Sequence, residues 1–477
     1  MQGTFLLELW KALSPTEHRA LLKFLDSPAH NLRPDVKALA GLLAATPSSG
    51  WAVLDKQHAF SAVFPGQPYD HLRFNHTCSF LVQRIESFLA WQEMEQDEKW
   101  RHWMLCRSLR KRGANEHFLR RSGAALQALE QQPLRNAEHH LVSFLLESER
   151  IQHRVLHERE SPTGLSRVTE PLDRFFTLEN LRWAGTALSL QARYGAHNLL
   201  AFSTPVLQNA AQADAAQAPE IVLMRLAYET MQDTENEENF RQLKALIADK
   251  SHLFSSAENR DLYLLAINFC LRRHNRGERP AYTREAFALY REALERGLLF
   301  EHGLLPKFTF NNILRLACIG GERDWARAFL DLYREHLPAE DRENTYRFNL
   351  ASWHYLGGDY AQVPGLLQTF DFADRDTQLS ARQMLLRSYF ETQEWFALDS
   401  LLKSFYSFLR RRHDIGYQRL MYLNLIKFTR KLMSGPLNKR KTASLRERIQ
   451  AEPYVAERDW LLSKLSPSPA TPAREKK

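Results

Sequence analysis

Apolar residues recur along this chain at helical spacing. The longest clean run is Phe74, Cys78, Leu81, Val82, Ile85, Phe88 and Leu89, with Arg73, Gln83, Arg84, Glu86 and Ser87 on the other side. That is one buried stripe of an α-helix. Upstream, Ser14-Pro15-Thr16-Glu17 has the form of a capping box with proline at the first helical position, predicting a helix to about Asp26 that Ser27-Pro28 stops. Pro34 opens a second helix to near Ala45, and a short one around Lys56–Val63 is closed by Pro65-Gly66. Further helices are predicted near 96–112, 115–131, 135–157, from Pro171 to about Tyr194, from Pro219, and near 235–249, 257–274 and 282–297. Strand-like alternation between Asn-Gly turns is absent.

After Pro306 the pattern becomes periodic. Trp325, Tyr360 and Trp395 stand 35 residues apart, each after a short polar turn: Glu322-Arg323-Asp324, Gly357-Gly358-Asp359 and Thr392-Gln393-Glu394. That step is two helices and two turns, the unit of a tetratricopeptide-like array, which cannot bury its apolar face alone. Helix pairs are predicted at 307–319 with 324–336, 342–356 with 359–370, 377–391 with 394–410, and 415–433 with 438–450. Leu289-Tyr290-Arg291-Glu292 recurs as Leu332-Tyr333-Arg334-Glu335, suggesting that the helix from 282 closes an earlier, longer unit. The expected fold is all-α: an irregular N-terminal helical region over 1–160, irregular helical pairs over 165–300, and a tetratricopeptide-like α-solenoid of helix pairs over 306–455. Trp325, Tyr360 and Trp395 are its expected packing anchors. The Ser/Pro-rich end, 464–477, has the composition of disorder.

Several segments, in order, resemble a family of large uncharacterised all-helical bacterial proteins with such repeats. They are Phe24-Leu25-Asp26-Ser27-Pro28-Ala29-His30-Asn31, Phe64-Pro65-Gly66-Gln67-Pro68-Tyr69, Leu172-Asp173-Arg174-Phe175-Phe176, Ile267-Asn268-Phe269-Cys270 and Glu394-Trp395-Phe396-Ala397-Leu398. The resemblance spans roughly residues 4–433 and implies the helical fold, with no catalytic residues to carry over.

Charge alters this picture at one end only. The chain is +8 overall, yet residues 403–448 alone are +11, leaving the rest at −3. An anionic partner is therefore expected only there. Arg410, Arg411, Arg412, Lys427, Arg430, Lys431, Lys439, Arg440 and Lys441 form this candidate patch, with Tyr406, Tyr417, Tyr422 and Phe428 interleaved. Cations neutralise phosphates and aromatic rings stack on bases, so a polyanion such as single-stranded nucleic acid is the second functional reading.

The first reading is a non-enzymatic scaffold that binds a protein or peptide along a concave face. Lys307, Asn311, Arg347 and Asn349, on successive first helices, are the candidate donors to a peptide backbone or terminal carboxylate. No phosphate-cradling glycine loop or nucleophile elbow occurs, so neither a cofactor nor catalysis is expected. His153 and His157 share a helix face, but Arg150, Arg154 and Arg159 surround them, and no metal is expected there. Cys78, Cys106, Cys270 and Cys318 are widely separated, fitting buried thiols in a reducing cytoplasm. No run of about 18 apolar residues predicts a membrane span.

Overall fold

The computed structural model describes residues 4–47, 50–51, 54–157, 164–194, 204–276, 279–367, 374–411, 417–434 and 438–465. They are helical, without a β-strand; the isolated bridge Glu301–Leu304 closes a turn. No described helix is long and apolar enough to cross a membrane. The chain divides into two compact units, Met1–Asn180 and Leu181–Lys477.

The first unit holds α1 (Phe5–Ala12), α2 (Pro15–Asp26), α3 (Pro34–Ala45), α4 (Lys56–Val63), α5 (His71–Gln96), α6 (Glu98–Lys111), α7 (Asn115–Gln131), α8 (Ala137–His157) and the start of α9 (Ser166–Tyr194). The Ser14 hydroxyl accepts from the Glu17 amide and the Glu17 carboxylate from the Ser14 amide, so both ends of the predicted capping box form. On α5, Phe74, Leu81, Ile85 and Phe88 are buried as the stripe requires, packing with Trp10, Phe24 and Phe60. Asp97 interrupts the helical run: its carboxylate accepts from the Lys99 and Trp100 amides and opens α6. A second core gathers Cys106, Phe118, Leu126, Val142 and Leu146 from α6, α7 and α8. Two elements depart from expectation. The N-terminal stretch forms α1, burying Leu6, Leu7 and Trp10. And α9 begins at Ser166, carrying Pro171 inside it, because a proline so near a helix start removes only one interior hydrogen bond.

The second unit continues with α10 (Thr204–Ala211), α11 (Pro219–Gln232), α12 (Glu237–Lys250), α13 (Ser256–Arg276), α14 (Arg279–Glu295), α15 (Lys307–Gly320), α16 (Arg323–Leu332), α17 (Arg342–Gly357), α18 (Val363–Leu367), α19 (Arg375–Glu391), α20 (Trp395–Arg411), α21 (Tyr417–Met433), α22 (Lys439–Ala451) and α23 (Arg458–Ser463). From α11 to α21 each helix packs on its successor, and α15, α17 and α19 also touch in series. Two inter-helix turns close on left-handed glycines, Gly321 and Gly358, with φ of 94° and 85°. At the third such turn Gln393 takes that place with φ 59°.

The three ring positions do not behave alike. Trp325 lies between Phe287 and Phe329, with centroids 4.9 and 5.4 Å away. Tyr360 packs on Tyr355 and opens a 3₁₀ turn, Tyr360–Gln362, rather than an α-helix. Trp395 is 46% exposed and touches Phe390 by one edge, so it is not the buried anchor expected. The first residue of α20 has no preceding turn of helix to cover it. Nor are the two Leu-Tyr-Arg-Glu tetrapeptides equivalent: Leu289 and Tyr290 are buried inside α14, whereas Leu332 is 70% exposed at the end of α16.

Candidate functional site

The candidate groove donors are close together but already engaged. Lys307 Nζ stands 3.2 Å from the Asp341 carboxylate and 3.6 Å from that of Asp374. Asn349 is buried in α17; its amide donates to Asn311 Oδ1 at 2.6 Å and to the Thr345 carbonyl at 2.8 Å. Arg347 donates to the Gly365 carbonyl at 3.2 Å. These contacts tie α15, α17 and the start of α19 to one another. A buried amide needs such partners whatever the surface does.

A larger polar knot, which the sequence reading missed, gathers on Glu457. This residue holds φ 54° immediately before α23. Its carboxylate accepts from Tyr355 Oη at 2.8 Å, Gln383 Nε2 at 2.5 Å and Arg387 Nη1 at 2.8 Å. Arg387 Nη2 donates onward to Tyr360 Oη at 2.6 Å. Burial, reinforced by the neighbouring Glu457 charge, pushes the Tyr355 phenol well above its ordinary pKa, so it remains a neutral donor. Beside the knot, Trp460 Nε1 and Lys464 Nζ both donate to Glu391, at 2.6 and 2.7 Å. Trp460, Leu461 and Leu465 are buried in the core of α17–α22, so the segment expected to be disordered from 464 onward contributes two ordered residues. Residues 466–477 lie outside the described residues. The legible signal was an acidic Glu457-Arg458-Asp459 placed just before apolar Trp460-Leu461-Leu462, in an otherwise basic end.

Beside this closed interior lies an open cleft. The turns after α17 and α19 flank a cleft of about 500 Å³ lined by His354, Gly358, Asp359, Tyr360, Ala361, Gln362, Glu391 and Thr392. Trp395 and Phe396 follow Thr392 closely in sequence; Phe396 is 92% exposed. Asp359 is engaged by Arg323 at 3.3 Å and lies 3.6 Å from His354 Nδ1. Burial lowers the His354 pKa, and Arg327 and Arg323 add to this, against the pull of Asp359.

The basic residues fall on three helices. Arg410 and Arg411 are exposed at the end of α20, Lys427 and Arg430 on α21, and Lys439, Arg440 and Lys441 in the first turn of α22; Lys431 is half-buried. Arg430 lies 5.6 Å over the Tyr406 ring. Arg412 lies outside the described residues, as does the side chain of Tyr417. Phe428 is buried, so this ring serves the core and is not available for stacking on a base.

Of the histidine pair, His153 is built into the fold and His157 is exposed. His153 is buried on α8, stacks on Phe118 at 4.8 Å, and shares a 3.2 Å hydrogen bond with Asn115. Glu149 of the same helix is held by Arg110. Among the described residues no three histidine, cysteine or carboxylate side chains gather where a metal ion could be held. Cys106 and Cys270 are buried, Cys78 and Cys318 half-buried, and burial pushes the thiols of Cys78, Cys106 and Cys318 up to about 11 and that of Cys270 further still. Such thiols are poor nucleophiles at neutral pH. No protein-family model, no curated protein and no solved structure matches this chain.

Proposed function

We propose that this chain is a non-enzymatic, tetratricopeptide-like stack of helix pairs that binds another protein at the turn edge of α17–α20. The serial packing of α15, α17 and α19, each with its following helix, supports the stacked-pair reading. The surface assignment rests on one observation: Phe396 is 92% exposed, beside half-exposed Trp395, close in sequence to the lining of a cleft. Exposed large rings contribute little to the fold, whereas aromatic anchors beside a pocket carry much of the energy of protein interfaces. The partner is read as a protein segment bringing an apolar side chain to the rings and a donor to the exposed Gln362. The candidate groove residues Lys307, Asn311, Arg347 and Asn349 then serve to join helices rather than to hold a ligand. Four separated thiols without a disulfide among them fit a cytoplasmic site of action.

A photo-crosslinking phenylalanine analogue at 396, used in cells of the source organism, tests this. A discrete adduct is expected that Trp395→Ser suppresses while the variant's helicity and melting remain near those of the parent. No adduct, or one indifferent to Trp395→Ser, rejects the assignment.

A further inference from the structure

We propose that the solvent faces of α21 and α22 form a binding surface for the sugar–phosphate backbone of a nucleic acid, independently of the protein-binding reading. On α21 the buried residues Leu425, Ile426, Phe428 and Thr429 define the inward side. Lys427, Arg430 and Lys431, at i, i+3 and i+4, project from the opposite side. On α22, Leu445 and Ile449 face inward, while Lys441 and Arg448, seven residues apart, share one flank. Lys431 is near enough to Arg448 and Lys427 for their charges to act on it. Its pKa is lowered first by burial and then by those two cations.

Residues 417–451 contain nine basic side chains and a single acidic one, Glu447. Among the described residues, Lys427, Arg430, Lys431, Lys441 and Arg448 form no ion pair with a carboxylate, whereas Arg273, Arg342 and Arg387 elsewhere in the unit all do. Lys439, Arg440 and Lys441 also stand in the first turn of α22, where the helix dipole opposes positive charge. Helix stability therefore does not account for them, and like-charge crowding around Lys431 works against the fold. A ligand with regularly spaced negative charge relieves both.

The chemistry selects among polyanions. A bilayer surface is best held by cations combined with apolar side chains that insert. On α21 and α22 the large apolar side chains are inward, with Leu420 the exception among the described residues. Tyr406, partly exposed beneath Arg430, offers a ring face next to the cations, which suits bases rather than lipid.

The test is fluorescence anisotropy of the full chain with a labelled 20-nucleotide single strand, repeated with poly-glutamate and with phosphatidylserine vesicles. With four or five phosphates neutralised, log affinity should fall with log salt with a slope of about −3 to −3.5. Lys427→Glu, Lys431→Glu and Arg448→Glu together should weaken strand binding at least tenfold and flatten that slope by about 2. Lys427 and Arg448 are exposed and Lys431 is half-buried, so circular dichroism checks that the fold persists. Conservative replacement of Lys427 and Lys431 by Arg should keep the slope. Equal or tighter binding of poly-glutamate or vesicles, or strand binding that the triple variant leaves unchanged, overturns the proposal.

Discussion

Replacing Glu457 by Gln removes one charge and leaves the shape nearly intact, so it isolates the electrostatics of the knot. In the native fold three donors converge on that carboxylate, from Tyr355, Gln383 and Arg387. A glutamine has one acceptor oxygen, and its NH₂ group would face a donor. Breaking a buried pair by altering one partner costs about 3–5 kcal/mol. The side chains of Arg387 and Glu457 keep 26% and 14% of their exposure, so water offsets part of that loss. The expected cost is about 2–4 kcal/mol, consistent with about 1.5–3 kcal/mol for a single hydrogen bond to a charged group. Because a chain of this size need not unfold in one step, the readout is native-state hydrogen exchange of α17, α19 and α23. Protection there should fall by roughly 30- to 1000-fold, and α5 should be unaffected. Arg387→Met should cost a similar amount. The double variant Arg387→Met/Glu457→Gln should cost less than the sum of the two single changes, giving a coupling of about 1–3 kcal/mol. A loss of protection under about threefold, or costs that simply add, would refute the view that these residues act as a unit.

Three further outcomes follow from the geometry. Gln393→Gly should stabilise the chain by roughly 0.5–1 kcal/mol in urea melts, because φ 59° is strained for a residue with a Cβ. Labelling by a disulfide reagent at pH 8 should leave Cys106 and Cys270 untouched and reach Cys78 and Cys318 slowly, since a thiol with a pKa of about 11 is roughly one part in a thousand ionised there. Fast modification of any of the four in the native chain would contradict their burial. His354 has a folded pKa below its ordinary 6.5, so between the two values the unfolded chain takes up the proton and the folded one does not. Its contribution is present above about pH 6.5 and is lost as pH falls through the folded value. His354→Gln should therefore lose less stability than the parent between pH 7.5 and 5.5, and equal losses would remove His354 from the explanation.

The helix starts that carry their own chemistry were legible in the sequence. Asp374 and Asn438 cap α19 and α22 by accepting from the Thr377 and Lys441 amides, and these helices begin within two residues of expectation. Of the short helices, α4 was legible with its Asp55 cap, whereas uncapped ones were not. α1 and α23 have eight and six residues and lack a side-chain cap, so their stability comes from the core they enter rather than from any local signal. The polar turns before Trp325, Tyr360 and Trp395 fall between helices as expected, yet spacing alone says nothing of depth, and Trp395 is half-exposed. The candidate groove shows the same limit. That Asn349 and Asn311 would meet each other, rather than a ligand, depends on the distance between two helices, which no local pattern encodes. The cations of α21 and α22 were evident from composition, but that Lys427, Arg430, Lys431, Lys441 and Arg448 form no ion pair among the described residues appears only in three dimensions.

The contact from Tyr355 to Glu457 joins residues 102 positions apart. At ordinary rates of synthesis, roughly 5–20 residues per second, the ribosome needs about 5–20 seconds to travel from one to the other. Until Glu457 is made, Tyr355 and, once synthesised, Gln383 and Arg387 have no such carboxylate to hold, and the apolar seat of Trp460 lies open. The nascent chain thus passes through an interval in which this part of the fold awaits Glu457 and Trp460, and an exposed seat of this kind is where a holding chaperone would dwell.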